Sequence, residues 1–356
     1  MVRVVIVDDS AVCRSALRET LEAGGGIRVV GEASDGAEVL KVITREKPHL
    51  VTMDLQMPGT SGFEAIEEIM AKHPVPILVV TGQSRKSSAA AFEAIRRGAL
   101  QLAEKPPPGQ SAAGNELRAQ VRMLAKVPVV RHVAGSRDKL AQRSPAVAPT
   151  HRTPTHVAPA TTVPLIGVAA SAGGPGAIAT LLSQLPASFQ GCVAVVQHLP
   201  KGFAASFADF LASRTRLRVK LVSDSAAREA GTVLVAPDDR HLVVSGKNLL
   251  RAVDSPPMGG FRPAANVLFQ SMADILGAGG IGIVLSGMGT DGADGLERMR
   301  RQGSLTIAQD EATSAVYGMP RAAAERGAAC LVLPLGKIAQ AVVEGGSPQR
   351  LSGPSP

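Results

Sequence analysis

Residues 2–9 read VRVVIVDD. Six residues rich in Val and Ile predict a short β-branched strand, and two carboxylates follow at once. The same pattern returns at 27–30 (IRVV), 50–53 (LVTM, then Asp54), 77–80 (ILVV, then Thr81) and, more weakly, 99–103 (ALQLA). Amphipathic stretches at 11–21 and 63–70 lie between them, with apolar residues every three or four positions, and a last helix over 112–126 closes the unit. Strands alternating with helices predict a five-stranded parallel sheet covered on both faces. Such sheets bind ligands beyond the carboxyl ends of their strands.

That rim is acidic. Asp8 and Asp9 follow the first strand and Asp54 the third, so three carboxylates converge and need a compensating cation. Hard oxygen donors of this kind suit Mg²⁺, which favours carboxylates shared with phosphate oxygens. Thr81 ends the fourth strand and Lys105 the fifth, a hydroxyl and an ammonium placed to hold a phosphoryl group on Asp54. Each alone would read as a cap or a surface ion pair. Five at strand ends point to phosphoryl chemistry.

Beyond residue 126 the texture changes. Residues 127–162 include SPAVAPTHRTPTHVAPATT, rich in Pro and small polar residues, and are expected to be a semi-extended linker. Residues 163–345 return to strand–helix texture as a second domain. Strands are predicted at 165–169, 192–196, 233–236, 281–285 and 305–308, and helices near 178–185, 203–211, 264–276, 292–300 and 321–325. Residues 346–356 read as a frayed tail.

Composition excludes several classes. At 356 residues, 45% hydrophobic and 19% charged, the chain suits two domains with real cores. No apolar run reaches membrane-spanning length, and the acidic residues come too early for a signal peptide, so a soluble cytoplasmic protein without membrane insertion is expected. Three scattered cysteines support neither a disulfide framework nor a zinc module. The net charge is +8, yet half of that excess lies in residues 127–162, and with no Trp and one Tyr there is little to stack on bases. No nucleic-acid partner is expected. A DNA-binding output would also need a helix-turn-helix, which residues 163–356 do not suggest.

In the second domain, LIGVAA (165–170) runs into Ser171-Ala-Gly-Gly-Pro-Gly and then a helical pattern. The glycines permit a tight turn and Pro175 suits a first helical turn. Such a turn either cradles phosphate on its N–H groups or presents Ser171 as a nucleophile beside an oxyanion site. Neither the P-loop nor the dinucleotide spacing is met. A serine nucleophile needs a base, and only His198 and His241 are available here. His198 follows a buried strand at its carboxyl end, as Ser171 does; His241 precedes a strand. The base needs an orienting carboxylate, and Asp291 in the turn SGMGTDGADG (286–295) suits better than Asp294, one helical turn on. Asp291 could also be only a helix cap. Met288 in the same turn is a candidate oxyanion donor.

VVIVDDS, VTMDLQMPG, VVTG and EKP resemble the flavodoxin-like receiver domain of bacterial response regulators over residues 1–126. The resemblance implies that Asp54 accepts phosphate from a CheA-type histidine kinase, that Asp8 and Asp9 help hold Mg²⁺, and that Thr81 and Lys105 sense the phosphoryl group. Leu102 stands where receivers usually carry an aromatic switch residue. SAGGP, VVQHLPKGF, VAPDDRHL, FRPAANVLFQSMA, LSGMGTDGADG and AQDEATSAVYGMPRAA resemble, in order, the catalytic domain of the CheB family of chemotaxis protein-glutamate methylesterases. That implies an α/β domain with a mainly parallel sheet, and a triad of Ser171, His198 and Asp291 that needs no cofactor for ester hydrolysis. It also implies methyl-accepting chemoreceptors as substrates and glutamine deamidation as a second activity. Two departures stand out: Ala172 where the family has Thr, and Gly259-Gly260-Phe261 where it often has Asn-Arg-His. The latter leaves open a serine hydrolase of the same fold with a target outside chemotaxis.

Overall fold

The computed structural model describes residues 1–57, 61–82, 85–106, 111–127 and 163–345. The expected linker, apart from Val127, and the expected tail lie outside the described residues.

The N-terminal domain alternates β1 (Val2–Val7), α1 (Ala11–Glu22), β2 (Ile27–Ala33), α2 (Gly36–Glu46), β3 (Leu50–Met53), α3 (Gly62–Lys72), β4 (Ile77–Thr81), α4 (Arg85–Arg97), β5 (Gln101–Glu104) and α5 (Ser111–Leu124). The five strands form one parallel sheet in the order β2-β1-β3-β4-β5. β3 and β4 are buried along their whole length, which is why their sequences run apolar instead of alternating. The weak strand predicted at 99–103 begins only at Gln101. Gly98 takes φ +123 and the Ala99 N–H closes onto Ala94, so residues 98–99 finish α4.

The C-terminal domain is a seven-stranded parallel sheet in the order β15-β14-β13-β6-β7-β10-β8, with helices on both faces. Its strands are β6 (Leu165–Ala170), β7 (Cys192–Gln197), β8 (Arg218–Leu221), β10 (Thr232–Val235), β13 (Gly280–Val284), β14 (Leu305–Gln309) and β15 (Leu331–Leu333). The helices are α6 (Gly174–Ser183), α7 (Ala204–Ala212), α8 (Ala265–Leu276), α9 (Ala293–Arg301), α10 (Met319–Glu325) and α11 (Leu335–Gly345). The first helix starts four residues earlier than predicted, because the glycine turn is itself the opening of α6.

Several features went unforeseen. Two are β8 and β15, the edge strands of the seven-stranded sheet. Another is the pairing of β9 (Ser225–Ala227), β11 (His241–Gly246) and β12 (Leu249–Val253) into a separate antiparallel sheet, ordered β11-β12-β9; of these only the strand at His241 was expected, and His241 opens it instead of preceding it. The last is α11.

From β6 the chain moves outward one way to β7 and, after the small sheet, resumes on the other side at β13. Connections leaving β6 and β13 at their carboxyl ends therefore diverge and open a crevice. The N-terminal domain sits against the same end. Phe92 of α4 packs among Phe203, Phe207 and Phe210, with ring centroids 5.4–6.4 Å apart, and the Gly173 N–H donates to Leu100 O at 3.2 Å. No helix among the described residues is long and apolar enough to cross a membrane.

Candidate active site and phosphoryl pocket

In the N-terminal domain the strand ends bring together what the sequence suggested. Carboxylate oxygens of Asp8, Asp9 and Asp54 lie within 4.8 Å of one another. Asp8 and Asp54 are buried and Asp9 is exposed. Local turns aim them: Asp8 Oδ1 accepts from the Ser10 N–H at 3.0 Å, and Asp54 Oδ1 from the Gln56 N–H at 3.1 Å. Lys105 Nζ reaches Asp54 Oδ2 at 2.6 Å and Asp8 Oδ2 at 2.8 Å. Burial pulls the Lys105 ammonium down, but the two carboxylates outweigh it and raise its pKa above the usual lysine value. Thr81 is buried at the end of β4. A cluster of hard oxygen donors on a buried rim fits a divalent cation.

The crevice of the second domain collects Ser171 and His198 on the wall of one cavity of about 470 Å³. Ser171 follows β6, where its N–H donates to Ser286 O at 3.0 Å and its carbonyl accepts from Gly174 N at 2.9 Å. Gly173 sits at φ +74, a conformation L side chains rarely adopt; the turn depends on it. His198 follows β7, its N–H bonded to Ala170 O at 3.1 Å.

His198 Nε2 lies 2.9 Å from Asp291 Oδ2. The Asp291 carboxylate is held from behind by the first turn of α8, accepting Ala265 N–H on Oδ2 at 2.6 Å and Asn266 N–H on Oδ1 at 2.9 Å. Burial would raise its pKa, but the imidazole and these N–H groups win and keep it lowered. Asp291 does not cap the helix that follows it, since α9 is preceded by Gly292 at φ +91 with no side-chain cap; its carboxylate serves the first turn of the distant α8 instead. His198 Nδ1 is buried without a hydrogen-bond partner. Among the described residues no hydrogen bond joins Ser171 Oγ to the imidazole, although both line the cavity.

The competitors fall elsewhere. His241 is fully buried as a scaffold residue, accepting from Ala264 N–H on Nδ1 at 3.1 Å, with Nε2 3.1 Å from Pro256 O. Asp294 is exposed and paired with Arg326. Met288 is 38% exposed at the cavity wall.

Two contributors were missed, Gln197 and Ser286, and a third, Phe261, was noted without a role. Gln197 donates from Nε2 to the carbonyls of both Ser171 (2.8 Å) and His198 (3.0 Å), tying the two turns together. Its signal was a polar residue closing a buried strand. Ser286 Oγ donates to Ala172 O at 2.7 Å and accepts from Val316 N–H at 2.9 Å, bracing the serine turn. Phe261 lies flat on the His198 ring. From the N-terminal domain, Leu102, Gln120 and Met123 close the cavity's outer side.

The family models for CheB methylesterase and for the response regulator receiver domain match residues 166–342 and 4–112. A protein-glutamate methylesterase/protein-glutamine glutaminase of Anaeromyxobacter dehalogenans is 41% identical, over 96% of each chain. One of the same name from Pyrococcus abyssi is 35% identical over 96% of this chain and 93% of its own. This chain belongs to the CheB methylesterase family. The crystal structure of the Thermotoga maritima CheB catalytic domain is similar to 52% of this chain and covers 99% of its own, with TM-score 0.50 and 33% identity. A receiver joined to a CheB catalytic domain is thus the organisation of this CheB homologue.

Proposed function

We propose that this chain hydrolyses glutamate γ-methyl esters on chemoreceptors, releasing methanol, under control of phosphorylation at Asp54. The single observation that carries the reading is the His198–Asp291 pair, pinned on the α8 N-terminus and sharing a cavity with Ser171. With Nε2 engaged by Asp291, Nδ1 is the nitrogen left to act as base. Ser171 Oγ attacks the ester carbonyl and its proton passes to His198. The tetrahedral oxyanion leans on backbone N–H groups of the glycine turns, with that of Met288 as the candidate donor. Collapse expels methoxide, which takes the proton from His198. Water, deprotonated by the same imidazole, then cleaves the glutamyl–Ser171 ester and frees the acid. Asp291 holds the tautomer and stabilises the transient imidazolium. A glutamine amide fits the same steps with ammonia as the leaving group.

Within the receiver, Asp8, Asp9 and Asp54 would hold Mg²⁺, which when bound offsets charge between the carboxylates and an incoming phosphoryl group. A CheA-type histidine kinase is the phosphodonor in this reading, and the cytoplasm is where kinase and receptor signalling helices would be met. Thr81 and Lys105 would sense the phosphoryl group. The receiver covers the outer side of the cavity, so it excludes a receptor helix until phosphate on Asp54 loosens the contact. The Gly259-Gly260-Phe261 stretch beside the base favours one second reading, a serine hydrolase of this fold with a target outside chemotaxis.

Ser171→Ala protein is expected to lose both methanol release from methylated receptors and labelling by a fluorophosphonate. Undiminished methanol release would overturn the triad. Beryllofluoride is expected to stimulate the full chain and to leave the fragment from Val163 onward unchanged; equal stimulation of both would end the autoinhibition reading.

A further inference from the structure

The Phe261 ring lies parallel to the His198 imidazole, centroids 4.0 Å apart and planes within 5°. The placement is built. Met258 and Phe261 exchange two backbone hydrogen bonds of 3.1 Å across Gly259 and Gly260, whose φ values of +61 and +85 match a two-residue hairpin turn that glycine favours. Directly after it, Arg262 Nε bonds Asp239 Oδ1 at 2.8 Å and its guanidinium reaches Ser255 O at 3.3 Å. The ring is therefore clamped from both sides.

His198 is fixed at one edge by Asp291 and on one face by Phe261. That face matters for charge. The imidazole is neutral before the attack and cationic while it holds the Ser171 proton. An aromatic face attracts a cation through its quadrupole, most strongly where water is scarce, and the His198 side chain is only 9% exposed. An interaction that strengthens only as the cation forms raises kcat and leaves KM alone. We infer that Phe261 is a positioning residue of the reaction, holding the imidazole plane and stabilising its cationic form through the ring face. This rests on the assignment of His198 as the base.

The test uses the full chain activated by beryllofluoride, with 4-fluoro-, 3,5-difluoro- and 3,4,5-trifluorophenylalanine placed at 261. Fluorination keeps shape while draining the ring face of electron density. The expected result is a stepwise fall in kcat for methanol release, reaching about fivefold for the trifluoro ring, with KM within about twofold. Phe261→Trp should retain kcat and Phe261→Leu should lose about tenfold. Equal kcat across the fluorinated series, or a loss confined to KM, overturns the proposal. His198→Ala separates the two levels. If it labels with fluorophosphonate as fast as the parent, the base assignment itself falls. If it does not label while the fluorinated series stays flat, only the role of Phe261 falls.

Discussion

The two chemical sites of this molecule are assembled in opposite ways. In the receiver, Asp8, Asp54, Thr81 and Lys105 each end or directly follow a strand of one sheet, and the cation of Lys105 already bridges two of the carboxylates. Neighbouring strands guarantee neighbouring ligands. In the catalytic domain, Ser171 and His198 also come from adjacent strands, but Asp291 reaches the imidazole only because α8 turns its N–H groups toward the carboxylate. A charge pocket can be built from strand ends alone. A proton relay needs a third element to fix direction.

The largest effect expected from breaking this contrast is at the third element. Asp291→Asn should lower kcat by about 10⁴-fold, the size expected when a triad carboxylate becomes an amide and the tautomer is lost. Its melting temperature should fall only modestly, because the amide oxygen can still accept one of the two α8 N–H groups. A loss of folding in step with activity would show that Asp291 serves the helix before the histidine.

A smaller effect is expected where the two domains meet. Phe92 is 1% exposed among three phenylalanines of the catalytic domain, an aromatic anchor for the docked state. Phe92→Ala should raise activity of the unphosphorylated chain by about tenfold or more and shrink the response to beryllofluoride. Unchanged basal activity would mean the cluster does not hold the receiver over the cavity.

The smallest concerns pH. Asp291 has a lowered folded pKa, so its hydrogen-bonded carboxylate contributes stability that is present above the ordinary carboxylate range and lost as pH falls through the folded value. The melting-temperature gap between the parent and Asp291→Asn should therefore narrow on acidification from about pH 6 to about pH 3. Lys105 runs the other way. Its raised pKa gives a contribution complete below the usual lysine value and lost only in strong alkali, so the gap to Lys105→Met should stay level from about pH 6 to about pH 9.

Legibility in the sequence follows period and proximity. β1 and β3 match their expected limits residue for residue, since both are dominated by apolar residues and end directly at a carboxylate, Asp8 or Asp54. The sheet of β9, β11 and β12 escaped notice because β9 is three residues long and β11 and β12 alternate only loosely, with a register shift near Gly246. Within the site, Ser171 and Asp291 were marked by glycine turns and His198 by its place at the carboxyl end of a buried strand. Phe261 was marked only as an oddity, because stacking on a residue 63 positions away leaves no local pattern.

By itself the sequence determined two α/β domains, the rim at which each gathers polar side chains, and the candidates for chemistry there; strand periodicity and turn-forming glycines are local properties that a chain carries in its own order. Only the tertiary structure decided which nitrogen of His198 meets Asp291, which helix steadies that carboxylate, and that a phenylalanine covers the imidazole while the receiver closes the cavity. Those are contacts between segments distant in the chain, and their geometry is set by packing, which no local pattern encodes.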